Sequence, residues 1–294
     1  MLTRIFGIDF TSTPRNQKAI TVAEARLCHE VLTIANLFDL ISLEQLSEFL
    51  KIPGPWITAI DFPFGQPRKL VLDCGWPSSW QGYVNHVSLM GKQKFENTLR
   101  NYHDPETGRR RLLRETDKKA NSRSPMQLVY PPVGKMFFAG APLLLRSPCT
   151  VVPLRQGSSK ASIVVEGYPK LVASKAVGKS VYKSNFPSQE SSTQTEVRKS
   201  ILQWTKSKEA QECYGFIVKL NNAVADKCLH DSKGDELDAV LCAMQATWAW
   251  TKRRSRYGVP DQCDQLEGWI VDPEMLERRR DSCHDTGGLV IESE

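Results

Sequence analysis

The stretch Arg4-Ile5-Phe6-Gly7-Ile8-Asp9-Phe10-Thr11-Ser12 decides the fold reading. Its apolar run, rich in β-branched and aromatic side chains, predicts a buried strand. One carboxylate, Asp9, is set into the end of that run, with two hydroxyls just beyond it. An ionised carboxylate that loses its water needs a compensating partner, and a metal ion is such a partner. The chain then repeats the phrase at Trp56-Ile57-Thr58-Ala59-Ile60-Asp61-Phe62-Pro63, Ile-Asp-Phe both times. Two parallel strands ending this way hold Asp9 and Asp61 side by side at the C-terminal edge of a sheet, where open α/β sheets place their chemistry.

Outward from the first strand, Pro14-Arg15-Asn16 makes a turn, and residues 18–27 and 30–36 read as two further strands of an antiparallel meander. Ser42-Leu43-Glu44-Gln45 is a capping-box signature for a short helix with Leu43, Leu46, Phe49 and Leu50 on one face. Pro53-Gly54-Pro55 ends it and leads into the second Ile-Asp-Phe strand. The order β-β-β-α-β, with a helical crossover, makes that fourth strand parallel to the first.

After the loop Gly65-Gln66-Pro67, the spacing of Trp80, Tyr83, Val87, Phe95, Leu99 and Tyr102 predicts one helix over about 78–102. Residues from about 103 to 148 read as an insert. A turn, Asp104-Pro105-Glu106-Thr107-Gly108, precedes the basic run Arg109, Arg110, Arg111, Arg114, Lys118, Lys119 and Arg123. An apolar, glycine-punctuated stretch then suggests an insert ordered against the core. Residues 161–168 form a fifth strand carrying Glu166 near its end. Residues 183–195 are serine-rich and read as a flexible loop. Helices are expected over 195–208 and 234–255, the latter with Leu237, Val240, Leu241, Met244 and Trp248 on one face. Lys252-Arg253-Arg254 suit the negative end of its dipole. Residues 268–272 read as a closing strand or an extended cover, and 274–294 as a polar tail. The expectation is a single α/β domain over 1–273, a mixed sheet flanked by helices.

A chain of 294 residues with 40% hydrophobic content buries a sizeable core. The net charge of +6 and a pI near 8.8 suit a polyanionic partner without demanding one. None of the eight cysteines forms a Cys-x-x-Cys pair, so the spacing of a zinc site is missing. Reduced thiols and a cytoplasmic location are expected. Asp9 interrupts the N-terminal stretch where a secretory signal needs an apolar core. The longest apolar runs, 136–145 and 239–250, fall short of the ~18 residues of a membrane span.

Four acidic positions share one logic. Asp9, Asp61 and Glu166 each close an apolar strand, and Asp235 or Asp238 begins an amphipathic helix. Two unit charges ~4 Å apart repel by about 4 kcal/mol at an effective dielectric near 20. Hard divalent cations, Mg²⁺ or Mn²⁺, relieve that repulsion through oxygen ligands. Two such ions ~3.5–4 Å apart activate a water and stabilise the leaving oxygen in phosphodiester cleavage. Against this stands the ordinary role of an aspartate at a strand end, which is a turn or cap. Likewise Arg109, Arg110 and Arg111 read equally as phosphate contacts or as a solvated loop. Tyr130 and Phe137 read as packing residues rather than base-stacking ones.

The phrases Gly-Ile-Asp-Phe-Thr-Ser from Gly7, Ala-Ile-Asp-Phe-Pro-Phe-Gly from Ala59, Val-Glu-Gly-Tyr-Pro from Val165 and Asp-Glu-Leu-Asp-Ala-Val-Leu-Cys-Ala from Asp235 occur in that order. With Glu115-Thr116-Asp117, Ser124-Pro125, Pro131-Pro132-Val133-Gly134-Lys135-Met136 and Glu267-Gly268-Trp269-Ile270, they jointly resemble domain-of-unknown-function family 429, over about residues 4–273. That family is described as predicted nucleases of the RNase H-like fold. The resemblance implies a β-β-β-α-β-α-β-α core with Asp9, Asp61, Glu166 and Asp238 as metal ligands. It departs from ordinary RNase H, whose glutamate sits on the first helix.

Gly234 places the helix start next to Asp235, so Asp235 is expected to cap free backbone N–H groups. Asp238, one turn further, keeps its carboxylate for the metal, with Asp235 near the same site. The resulting expectation is a Mg²⁺- or Mn²⁺-dependent nuclease acting on DNA or RNA, with Arg109, Arg110, Arg111 and Lys135 touching phosphates. Two rivals stand beside it. One is an actin- or sugar-kinase-like phosphotransferase, which requires a second phosphate loop for which Gly65-Gln66-Pro67 is the only candidate. The other is a catalytically silent nucleic-acid or protein-binding module.

Overall fold

The computed structural model describes residues 3–184 and 191–276. The chain starts with β1 (Thr3–Asp9), β2 (Ile20–Cys28), β3 (Val31–Leu40), α1 (Leu43–Phe49) and β4 (Trp56–Ile60). There follow α2 (Arg68–Asp73), α3 (Trp80–Met90), α4 (Lys92–Asn101), α5 (Glu115–Ala120) and α6 (Val133–Arg146). The second half holds β5 (Cys149–Val151), β6 (Ser159–Glu166), α7 (Pro169–Val177), α8 (Ser192–Thr205), α9 (Lys208–Tyr214), β7 (Ile217–Leu220), α10 (Asn222–His230) and α11 (Asp235–Thr251). The fold is α/β: a seven-stranded mixed sheet, ordered β5-β6-β4-β1-β2-β3-β7, with helices on both faces. Among the described residues no helix is long and apolar enough to cross a membrane.

β1, β2 and β3 form the expected antiparallel meander, and β4 pairs parallel to β1 with Ile8 beside Ile60. The crossover helix α1 is capped by Ser42, whose hydroxyl accepts from the Gln45 N–H at 3.2 Å. The expected capping box is only half formed, because Gln45 Oε1 accepts from the Ile41 N–H at 2.6 Å instead of the Ser42 N–H. β6 adds parallel to β4, with Ile60 beside Glu166. Strand alternation divides the core in two. Ile5, Ile57, Ala59, Ile163 and Val165 face the layer of α7–α11. Phe6, Ile8, Trp56, Ile60 and Val164 face the layer containing α1–α4 and α6.

Several expectations are corrected. The helix read over 78–102 is two, α3 and α4, broken at Gly91 with φ 81°; its six marker residues are all buried. The edge strands β5 and β7, three and four residues long, had no legible signal. The helix read from 195 starts earlier, at Ser192, behind a Ser191–Gln194 capping box. α11 stops at Thr251 and is buried on nearly every side rather than along one stripe, because α7 and α10 cover the face turned away from the sheet. Within 103–148, α5 and α6 are ordered, Phe137 is fully buried, but Tyr130 is 90% exposed. Residues 268–272 act as a cover: Ile270 bridges Glu166, and the Val271 N–H donates to its carbonyl at 2.9 Å. Residues 185–190 of the expected loop and 277–294 of the expected tail lie outside the described residues.

Candidate metal centre

Asp9 and Asp61 follow directly from the parallel pairing of β1 and β4. Ile8 and Ile60 are in register, and the Asp61 N–H donates to the Ile8 carbonyl at 3.0 Å, so the two aspartates stand side by side. Residues 5 and 57 face α11, and two-residue periodicity turns Asp9 and Asp61 the same way. α11 is seated against β1 by Gly7. A Cβ there would lie 2.1 Å from both the Ala239 carbonyl oxygen and the Ala243 amide nitrogen, so any side chain would push the helix away. Asp238, next to Ala239, is thereby brought over the strand ends.

One carboxylate oxygen from each of Asp9, Asp61 and Asp238 lies within 4.8 Å of the others. Asp9 is 6% exposed and Asp238 2%, while Asp61 is half-buried. The Tyr182 hydroxyl donates to Asp238 Oδ1 at 2.7 Å, and the Lys183 ammonium pairs with Asp238 Oδ2. Asp9 and Asp61 have no hydrogen-bond donor among the described residues.

The electrostatics follow from that crowding. Burial, then the charges of Asp235, Asp238 and Asp61, push Asp9 well above the usual carboxylate range, and Lys183 only partly opposes them. Burial and Asp238 push Asp61 up to about 7. Asp238 is also raised by burial, against the pull of Lys183 and the Tyr182 hydroxyl. Burial works against the Lys183 charge, but Asp238 and Asp9 outweigh it and hold the ammonium well above its usual range. Two lone acids and one shared lysine leave the cluster under-compensated.

Glu166, expected as a fourth ligand, is placed elsewhere. It is in register with Ile60 rather than Asp61, so its side chain turns to the opposite face of the sheet. There both its oxygens are engaged: Arg114 Nη2 donates to Oε1 at 2.6 Å, Arg114 Nη1 to Oε2 at 2.9 Å, and the Phe64 N–H to Oε2 at 2.9 Å. Arg114 also pairs with Asp117 at 2.8 Å and donates to the Glu267 carbonyl at 2.9 Å. Burial raises Glu166, and Arg114 opposes that shift.

Asp235 is not the helix cap. Gly234 holds the N-cap position with φ 71°, and Asp231 instead accepts from the Glu236 N–H at 3.0 Å. The Asp238 N–H is satisfied by the Gly234 carbonyl at 3.0 Å, not by a side chain. Asp235 pairs with Lys18 at 3.1 Å, at the rim of the cluster.

Of the expected phosphate contacts, Arg109, Arg110 and Arg111 are exposed with no acidic partner among the described residues, and Lys135 is half-buried on α6. Arg114 of the same basic run is 1% exposed and committed to its carboxylates. Tyr182 and Lys183 were missed. They lie in a stretch without periodicity, and the only local signal was a tyrosine-lysine pair at its start. Comparison with known proteins found no matching family model, no matching curated protein and no matching solved structure.

Proposed function

We propose that the protein is a divalent-metal-dependent nuclease of RNase H-like fold that hydrolyses phosphodiester bonds in DNA or RNA. The observation that carries this reading is the convergence of Asp9, Asp61 and Asp238 from two parallel strand ends and one helix, with Asp9 buried and without a side-chain donor among the described residues. All-oxygen ligands at that density fit a hard cation better than any other group. The meander, the α1 crossover, parallel β4 and β6 and the helices that follow are compatible with the β-β-β-α-β-α-β-α plan implied by the family resemblance.

Asp9, Asp61 and Asp238 would hold Mg²⁺ or Mn²⁺. Bound there, such an ion would lower the pKa of a water, making it a better nucleophile toward phosphorus, and would supply positive charge for the leaving oxygen. The strands fix two of the carboxylates, and the Tyr182 hydroxyl orients the third. Glu166, itself held by Arg114, contributes by accepting directly from the Phe64 N–H rather than by facing the three aspartates. Arg109, Arg110 and Arg111 are exposed, have no acidic partner among the described residues, and are available to meet a phosphate backbone. The phosphotransferase alternative is less well supported, because Gly65, Gln66 and Pro67 are buried and the Gln66 N–H is engaged by the Tyr83 hydroxyl at 3.1 Å.

The test is cleavage of end-labelled single- and double-stranded DNA and RNA in Mn²⁺, beside calorimetric Mn²⁺ titration. Cleavage that is lost in Asp9→Asn and Asp61→Asn, with circular dichroism unchanged, supports the reading. Metal binding without cleavage of any substrate leaves a silent binding module. No metal binding removes the centre altogether.

A further inference from the structure

The three-aspartate cluster has a cation of the chain itself at its edge. The Lys183 ammonium pairs with Asp238 Oδ2, and its charge also acts on Asp9 and Asp61. It lies 5.8 Å from the Tyr182 ring centroid. Its stem crosses the N-cap of α11, where a Cβ on Gly234 would lie 3.0 Å from Lys183 Cγ and 3.4 Å from Cε. A residue with a side chain at 234 would crowd the lysine out of this path.

We propose that Lys183 is a tethered counter-ion of the Asp9–Asp61–Asp238 cluster, and that a divalent cation gains the cluster by displacing it, so that this lysine sets how tightly the metal is held. The proposal rests on the metal reading above. Two features make displacement feasible without refolding. The backbone is anchored: Arg198 Nη1 donates to the Tyr182 carbonyl at 2.9 Å, and Gln194 Nε2 to the Lys183 carbonyl at 2.8 Å, both from α8. The side chain is held at its tip by its pairing with Asp238, is 38% exposed, and has a flexible four-carbon stem that can carry the ammonium to water by bond rotation. A monovalent ammonium and a divalent ion cannot share three carboxylates without mutual repulsion. The lysine thus keeps the metal-free protein from holding a naked acidic cluster, at the expense of metal affinity.

The experiment is Mn²⁺ binding, by calorimetry and by electron paramagnetic resonance of free Mn²⁺, to wild type, Lys183→Met and Lys183→Gln. Methionine keeps the stem over Gly234 without the charge. The expected result is a Kd about tenfold lower or more in both variants, with a lower Tm in chelator. Unchanged or weaker binding overturns the proposal while the metal reading stands. No binding by wild type or either variant removes both. A second measurement needs no substitution: amine acylation of wild type, read by mass spectrometry, should increase at Lys183 when Mn²⁺ is added. Unchanged labelling under saturating Mn²⁺ overturns displacement.

Discussion

Two buried acidic clusters flank the same strand end, β4, on opposite faces of the sheet. On one face Arg114 meets Asp117 and Glu166, with both guanidinium edges bonded and every carboxylate oxygen of Glu166 occupied. On the other, Asp9, Asp61 and Asp238 share one lysine, and two of the three have no donor among the described residues. Burial is similar and the outcome is opposite. The first cluster is a finished ion network that joins the α5 segment and the Glu267 backbone, just before the 268–272 cover, to the sheet. The second is incompletely compensated, and such imbalance, rather than burial itself, marks a candidate for chemistry.

The sharpest way to break this contrast is to neutralise one member of each cluster. Asp9→Asn should reduce turnover by about a thousandfold, or ~4 kcal/mol of barrier, with the metal-free Tm unchanged or raised because repulsion is relieved. A fall in stability with activity retained would move Asp9 into the structural class. Arg114→Met should do the reverse. Stranding Glu166 and Asp117 should cost roughly 3–5 kcal/mol, read from urea midpoints, and an unaffected midpoint would show that the network is dispensable.

The pH dependence sharpens the same distinction. Asp61 is pushed up to about 7 in the folded chain, from an ordinary value of 3.8. Between those values the native state holds a proton that the unfolded state has lost, so stability falls as pH rises through the window. In chelator, Asp61→Asn should therefore match wild type near pH 4 and become the more stable protein by pH 8. Mn²⁺ should restore the wild type over the upper part of that range, where the carboxylates ionise. Melting curves from pH 4 to 8 decide this, and a constant gap between the two proteins would place Asp61 outside the strained cluster.

Cations divide in the same way as acids. Arg114 is committed, whereas Arg109, Arg110 and Arg111 are exposed. Replacing these three by Gln should flatten the slope of log affinity against log salt by about one to three units for duplex DNA. An unchanged slope makes them a solvated loop. The smallest effect belongs to Asp235, whose partner Lys18 is 43% exposed. Asp235→Asn should cost at most about 1 kcal/mol and keep measurable turnover, while Asp238→Asn should be folded and inactive. The reverse pattern would put Asp235 among the ligands.

Much of this was legible in the chain alone, where the deciding information is local. The Ile-Asp-Phe echo, alternation in β1 and β4, the Ser42 cap and the crossover rule place Asp9 beside Asp61 because each depends only on neighbours within one element or one connection. Asp238 was legible as a helix position, but Gly7 as the residue that admits its helix was not, since its contacts lie over 230 residues away. Glu166 shows the limit most clearly. Its strand was recognisable, yet a register that sets it beside Ile60 rather than Asp61 turns its carboxylate to the other face, where Arg114 waits 52 residues upstream. Composition and periodicity indicate the longer elements and many of their buried residues. Which buried charges are neutralised, and by what, is decided by packing between elements, because an ion pair is set by distances of a few ångströms that no local pattern encodes.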